Sequence, residues 1–334
     1  VCSSDLRTVI VVSLFSISIA FAAEPITVET FVRAETDTTI RKVLAGNDFG
    51  EFIHIRAPVS VEDQPVIRMN RDTLYSSAVL DLSKPATVTL PEGGGRYQSL
   101  HVINQDHYMF AVSGPGDYRL TEDEVGTRYA YLIVRTFADP GDPDDLAAAH
   151  KVQDGIAVTG GGDGPFEAPD WNQEQLMTAR MALNELAKLG ARPELAFGRR
   201  GETDPIQHLL NAAAGWGGLP QKNAFYVIDR VAKDDGTPHV LSVAEVPVDG
   251  FWSVTVYNAD GYLEPNPEGI YSFNNVTAEP NDDGSFTLHF GGCKDGRINC
   301  VPVAPGWNYA ARMYEPRTEI LDGSWTFPTP QPVE

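Results

Sequence analysis

Basic residues are scarce in this chain. Twenty-five Lys and Arg stand against 46 Asp and Glu, a formal net charge of −21 over 334 residues. Such a surface repels phosphates, so a broad nucleic-acid interface is excluded and docking on anionic lipid is disfavoured. No run of Lys or Arg offers a local basic patch. Cysteine is nearly absent, with three residues and no C-x-x-C. The chain also lacks a G-x-S-x-G elbow, an H-E-x-x-H helix and a P-loop, which disfavours serine α/β-hydrolases and zincins. Its seven His form no group at metal-ligand spacing, no motif names a cofactor, and no metal is expected. What is present, 42% hydrophobic and 21% charged residues, is the composition of a folded globular protein rather than a disordered one.

Long apolar runs are also missing, apart from the 14 residues Val9 to Ala22. That is short of the roughly 20 a bilayer requires. Arg7 before the run and Ala20 and Ala22 at its end give it the form of a secretory signal peptide, cut after Ala22. Val1 to Leu6 make a poor leader start and look like translated adapter sequence, which would make Cys2 an artefact. The mature protein is therefore expected to be periplasmic or secreted, with no stable membrane anchor after cleavage. It keeps Cys293 and Cys300, and such a pair in an exported chain is expected to be a disulfide. The alternative, a metal pair, is a weak zinc pattern without neighbouring His.

Hydrophobic periodicity divides the remainder. Thr27 is a candidate N-cap for a helix running to Leu44. Strand alternation follows in Val66 to Asp81, Thr87 to Leu90, Arg96 to Tyr108 and Tyr129 to Phe137. In D-P-G-D-P-D-D (139–145), Asp142 reads as an N-cap with Pro143 at the first helical position, a better account than a calcium loop. The Gly160–Gly164 stretch reads as a connection rather than a phosphate cradle, because no Lys-Ser/Thr follows it. Asp170 is read as capping a helix from Trp171 to Leu189, and Ile206 to Ala214 is a shorter one. From Ala224 short strands alternate with Asp-Gly turns, the pattern of an antiparallel sandwich or jelly roll. The fold class is α+β: a mixed α+β part over 23–200, then a jelly-roll-like β-sandwich over 201–334.

Several motifs resemble a bacterial family. They are R-M-N-R-D-T-L-Y-S (68–76), G-R-Y-Q-S-L-H-V-I-N-Q-D-H-Y (95–108), V-G-T-R-Y (125–129) and the D-P-D-D-L-A-A-A-H helix. In the second half they are A-A-G-W-G-G (213–218), G-F-W-S-V-T-V-Y-N-A-D-G-Y (250–262) and E-I-L-D-G-S-W (319–325). Together they identify the chain as similar to tandem proteins of the domain-of-unknown-function families 1254 and 1214. The resemblance implies a two-domain arrangement with a jelly-roll-like second domain. It implies no reaction and no catalytic residue set.

Three groups of residues are dense enough to carry chemistry. Arg68, Asn70, Arg71, Asp72 and Tyr75 could bind an anion through arginine forks, or form a buried network that fixes the turn into the strand. Asn104, Asp106, His107 and Tyr108 fall where the strand is expected to end; His107 could serve as a base and Asp106 as its orienting acid, or the group could be a hydrogen-bonded strand end. His101 lies on the same strand face as His107, about 20 Å away on a straight strand and too far to share a metal. Trp216, Trp252 and Tyr257 could stack on a ligand but read better as core. Arg135 on its apolar strand, and Asp204 with His208 at a helix start, read as structural. The leading expectation is a small polar or anionic organic ligand held in a cleft lined by the N-R-D-T-L-Y and N-Q-D-H-Y motifs. The rivals are an esterase-like or metal-assisted hydrolase built on Asp106 and His107, and a structural envelope protein that assembles as a homo-oligomer.

Overall fold

The computed structural model describes residues 23–64 and 67–333; the leader and adapter readings concern residues outside these. The first half contains helices α1 (Phe31–Leu44), α2 (Glu122–Val125), α3 (Pro143–Asp154), α4 (Gln173–Ala187) and α5 (Pro205–Ala214). Its strands are β1 (Ile53–His54), β2 (Thr73–Asp81), β3 (Ala86–Leu90), β4 (Gln98–Asn104), β5 (Met109–Ser113), β6 (Gly116–Leu120), β7 (Tyr129–Phe137) and β8 (Ala157–Gly160). They form an antiparallel sheet in the order β1-β2-β7-β4-β5 and a smaller one in the order β6-β3-β8. Because side chains alternate along a strand, Leu80, Leu100, Val102, Leu132 and Val134 of the large sheet turn one way and share a core with Val88, Leu90 and Leu120 of the small one. Tyr75, Ser99, His101 and Arg135 alternate with these residues and face away from that core.

Local chemistry explains the helix starts. Asp142 caps α3 by accepting from Asp144 N, with Pro143 beside it, and Asp145 pairs with Arg96 at 2.5 Å; the Asp cluster is a helix start, as its spacing predicts. Asp204 accepts from Ile206 N and Gln207 N at the head of α5. Two predicted caps move. Thr27 and Thr30 bond each other in a turn, so α1 begins after Thr30. Trp171 bridges to Glu24 and donates from Nε1 to Asp37 Oδ2 at 2.9 Å, so α4 begins after an Asn172 cap. Helix α5 packs on α1 and α4. The helical layer therefore continues past residue 200, and short strands take over at Ala224.

The second half holds β9 (Ala224–Arg230), β10 (His239–Val243), β11 (Trp252–Tyr257), β12 (Ser272–Asn274), β13 (Phe286–Phe290), β14 (Cys300–Val301), β15 (Asn308–Tyr314), α6 (Thr318–Leu321) and β16 (Gln331–Pro332). Two four-stranded sheets result, β12-β11-β15-β9 and β14-β13-β10-β16. Trp252, Val254, Ala311 and Met313 from the first meet Leu241, Leu288 and Phe290 from the second in one core. Trp252 is thus a core residue and lines no cleft. Cys293 and Cys300 are bonded, with Sγ atoms 2.10 Å apart.

Candidate functional site

Between the two halves an aromatic cluster of Tyr97, Phe137, Phe251 and Tyr314 lies beside a polar network. On β15, Tyr309, Ala311 and Met313 turn into the sandwich core, which leaves Asn308, Arg312 and Tyr314 on the opposite face. The R-M-N-R-D segment fills the space between the halves and its polar atoms bond the second half. Arg312 Nη2 donates to Arg68 O at 2.8 Å and to Tyr257 Oη at 2.7 Å, and Nη1 donates to Thr255 Oγ1 at 3.0 Å. Tyr257 Oη donates to Met69 O at 2.8 Å. Asn70 Nδ2 donates to Tyr314 Oη at 2.7 Å while its Oδ1 accepts from Asp72 N. Asn274 Nδ2 donates to Asp72 Oδ1 at 3.2 Å, and Arg68 Nη2 to Asn308 Oδ1 at 3.3 Å. Burial pushes the Asp72 carboxyl above its ordinary value, against the opposing pull of Ser253, Arg312 and Asn274. Arg71 points elsewhere: it donates to Val59 O and lies over the Tyr271 ring, beside a 250 Å³ pocket that Asp139 and Asn274 also line.

Arg135 sits across from this network and is less well held. It is 7% exposed. Nη2 donates to Gly217 O at 3.3 Å, Nη1 meets His101 Nδ1 at 3.4 Å, and the guanidinium lies 5.5 Å over the Tyr75 ring. Four phenols, Tyr75, Tyr226, Tyr97 and Tyr314, lie within electrostatic reach of it. Among the described residues neither Arg135 nor Arg312 makes an ion pair. Burying an unpaired guanidinium costs several kcal/mol, and two long hydrogen bonds with a cation–π contact worth about 0.5–2 kcal/mol offset only part of that.

Open space lies along β9. Tyr226 is within electrostatic reach of Arg135 and Arg312, yet it stays 40% exposed, and Ile228 beside it 52%. Both line a 640 Å³ cavity whose other walls include Pro193, Phe197 and Leu219. The chain runs from the charge to the cavity just after the A-A-G-W-G-G motif, although Arg135 itself does not line the cavity. Gly217 O takes the Arg135 hydrogen bond, and Leu219, two residues on, is cavity wall. Gly218 has to be glycine, because a Cβ there would lie 2.5 Å from the Phe197 ring.

The N-Q-D-H-Y motif lies on the other side of Gly217 and does not share this cavity. Strand β4 ends at Asn104, whose Oδ1 accepts from Asp106 N at 2.9 Å and Tyr108 N at 3.0 Å. His107, at φ 61°, turns inward. Its ring is fully buried among Trp216, His208 and Phe197, and Nε2 accepts from Gly217 N at 2.9 Å. That places the proton of the neutral ring on Nδ1. Burial first, and His208 second, hold the His107 pKa down at about 3. Asp106 turns outward and takes Arg33 at 2.6 Å and Arg200 at 2.9 Å. Tyr108 stacks on His208 at 4.5 Å. Trp216 lies half-buried against Tyr131 and donates to Thr36 Oγ1. The structure therefore brings Arg68, Asn70, Asp72 and Tyr75 together with Arg135, Arg312 and Tyr226; Asp106 turns away from His107 toward Arg33 and Arg200, and His107 accepts from Gly217 N while Arg135 donates to Gly217 O. No acid–base dyad forms between Asp106 and His107. Among the described residues no group of three or more His, Cys, Asp or Glu could hold a metal ion.

Sequence reasoning reads Arg135 as structural and passes over Arg312, Tyr226 and Tyr314. A lone Arg in an apolar strand was the one available signal, and only the missing partner carboxylate, a tertiary fact, gives it meaning.

The wider comparisons agree with this architecture. The fold is similar to that of the VPA0106 protein from Vibrio parahaemolyticus, at a TM-score of 0.69 and 18% identity, over 92% of this chain and 98% of that one. A putative uncharacterized protein from Burkholderia cenocepacia aligns at a TM-score of 0.52 and 16% identity, over 91% of this chain and 87% of that one. A comparison with curated proteins finds no match. The family model described as "Protein of unknown function (DUF1254)" matches residues 49–160, and "Protein of unknown function (DUF1214)" matches residues 229–318. The matches follow each other in sequence order, one in each half, and the chain belongs to the tandem DUF1254–DUF1214 proteins.

Proposed function

We propose that this protein binds a small organic anion in the cleft between its two halves, with Arg135 as the principal charge. The observation that carries this reading is a buried guanidinium without a carboxylate partner among the described residues, in a chain of net charge −21. An anionic ligand would supply the missing partner. The N-R-D-T-L-Y motif contributes through Asn70 and Asp72, which bond Tyr314 and Asn274 of the second half, and through Tyr75 under Arg135. The second half we read as a jelly-roll-like sandwich, supported by the facing orders β12-β11-β15-β9 and β14-β13-β10-β16. We place the protein in the periplasm or outside the cell; the Cys293–Cys300 disulfide supports an oxidising compartment. No helix of the described residues is long and apolar enough to cross a membrane.

Thermal-shift titration with organic acids and their neutral amides tests the reading. Acids should raise the melting temperature and amides should not. Arg135→Gln should weaken acid binding about 10–150-fold, the value of a charged hydrogen bond at about 1.5–3 kcal/mol. A variant that responds as the wild type does, or the absence of any acid response, overturns it.

A further inference from the structure

Arg71, the motif arginine that points away from the Arg312 network, lines a separate pocket of 250 Å³. The pocket sits at the seam of the two halves. Arg71 and residues 139–141 wall it from the first half, and residues 269–274 with Thr277 wall it from the second. Both of its charged walls are open to a ligand. Arg71 is half-buried; it donates from Nη1 to Val59 O and lies 5.2 Å over the Tyr271 ring. Glu62 and Asp72 are within electrostatic reach of it but do not contact it. Asp139 is half-buried too and is fixed in place. Its N–H donates to Asp145 Oδ2 at 2.7 Å, and its Oδ1 accepts from Gly141 N at 2.8 Å. Among the described residues neither Arg71 nor Asp139 joins an ion pair, with each other or with a third group.

The backbone of the pocket wall adds a donor and an acceptor. Strand β12 is the edge of its sheet. Val256 N donates to Tyr271 O at 2.9 Å and Asn275 N to Trp252 O at 3.3 Å, so the odd-numbered residues bond β11. Alternation along an antiparallel pair then turns the N–H and C=O of Ser272 off the free edge, where Ser272 is pocket wall. Asn274 is already spent: Oδ1 accepts from Val276 N and Thr277 N, and Nδ2 donates to Asp72.

We infer that this pocket binds a small zwitterion, an amino acid whose carboxylate meets Arg71 and whose ammonium meets Asp139. The site is independent of the anion reading above, because Arg135 does not line it. A plain carboxylate would answer Arg71 and set like charge against Asp139. A plain amine would answer Asp139 and set like charge against Arg71. A neutral molecule would desolvate both charges and pair neither, which is costly. Size follows from volume. Pockets for drug-sized ligands run to about 300–1,000 Å³, so 250 Å³ suits a free amino acid better than a peptide. Binding requires no covalent step and no cofactor.

The test is thermal-shift titration of the full chain with the common α-amino acids and with ω-amino acids from β-alanine to 5-aminopentanoate, then isothermal titration of those that respond. At least one zwitterion should bind. The acid and the amine made by deleting one of its charged groups should each bind at least tenfold more weakly. Asp139→Asn keeps an Oδ1 for Gly141 N, so the loop holds its shape, and it should weaken the zwitterion about 10–150-fold, the range for a hydrogen bond to a charged group. Arg71→Gln should do the same. No response from any zwitterion overturns the inference and leaves the Arg135 reading standing. A parent acid or amine that binds as tightly as the zwitterion overturns it too, as does an Asp139→Asn protein that binds as the wild type does. Zwitterion binding that Arg135→Gln abolishes and Asp139→Asn spares overturns the assignment to this pocket.

Discussion

His107 should make the folded protein sensitive to acid, by an amount that one substitution removes. Its ring is fully buried and its pKa falls from the ordinary 6.5 to about 3. The unfolded chain therefore binds a proton below about pH 6.5 that the folded chain refuses until about pH 3, so stability is full above that window and is lost as pH falls through it. Each unit is worth about 1.4 kcal/mol. At about pH 5 the loss from this one residue is about 2 kcal/mol, and at about pH 4 it is about 3.4 kcal/mol. His101 acts in the same direction, its pKa lowered by burial and by Arg135. Asp37 and Asp72 act in the opposite one, because burial raises their pKa values and the folded form holds their protons more tightly. The total pH profile is therefore mixed, and the difference between wild type and His107→Gln isolates one residue. A glutamine Oε1 can reach Gly217 N much as Nε2 does, and it bears no titrating proton. Urea unfolding followed by tryptophan fluorescence, with Trp216 stacked 5.3 Å from the His107 ring, should show the variant losing about 2 kcal/mol less than wild type between about pH 7.5 and 5. Parallel pH profiles for the two proteins would refute the burial and neutrality assigned to this ring.

Three further outcomes follow from single contacts. Asp106→Asn should leave carboxylate binding unchanged, because Asp106 faces Arg33 and Arg200 rather than the cleft; a binding loss above tenfold in the same titration would put it back in the site. Gly218→Ala should destabilise by about 1–3 kcal/mol, since its Cβ meets the Phe197 ring at 2.5 Å, whereas Gly46→Ala has nothing within 4 Å and should be near neutral in the same melts. Cys293→Ser should cost about 2.5 kcal/mol, the loop entropy of an eight-residue closure, and a reductant should lower the wild-type midpoint without affecting the variant.

The parts of the fold legible from sequence are those whose causes are local. Tyr129–Phe137 is a strand with the bounds its alternation predicts, and Asp142-Pro143 starts its helix because cap and proline chemistry require no neighbour. Strands β5 and β6 escaped because Ser113-Gly114-Pro115-Gly116 breaks the apolar alternation between them; their pairing partners, β4 and β3, supply the order instead. The candidate site divides along the same line. The density of polar groups in Asn104 to Tyr108 drew attention to a catalytic dyad, but its local cause is a turn: Asn104 Oδ1 collects two backbone N–H groups and His107 takes a positive φ. Arg135 reads as structural from its own segment, because one arginine among Val, Ile and Thr is what a surface-facing strand position also looks like. It is made unusual by residues about 80 to 180 positions away: Gly217, which offers only a carbonyl, and Tyr226 and Tyr314, which offer phenols where a carboxylate would have closed an ion pair. A charge left open by the fold is invisible to any local pattern. For that reason the residues that best define a ligand here are those whose own segments gave the least sign of one.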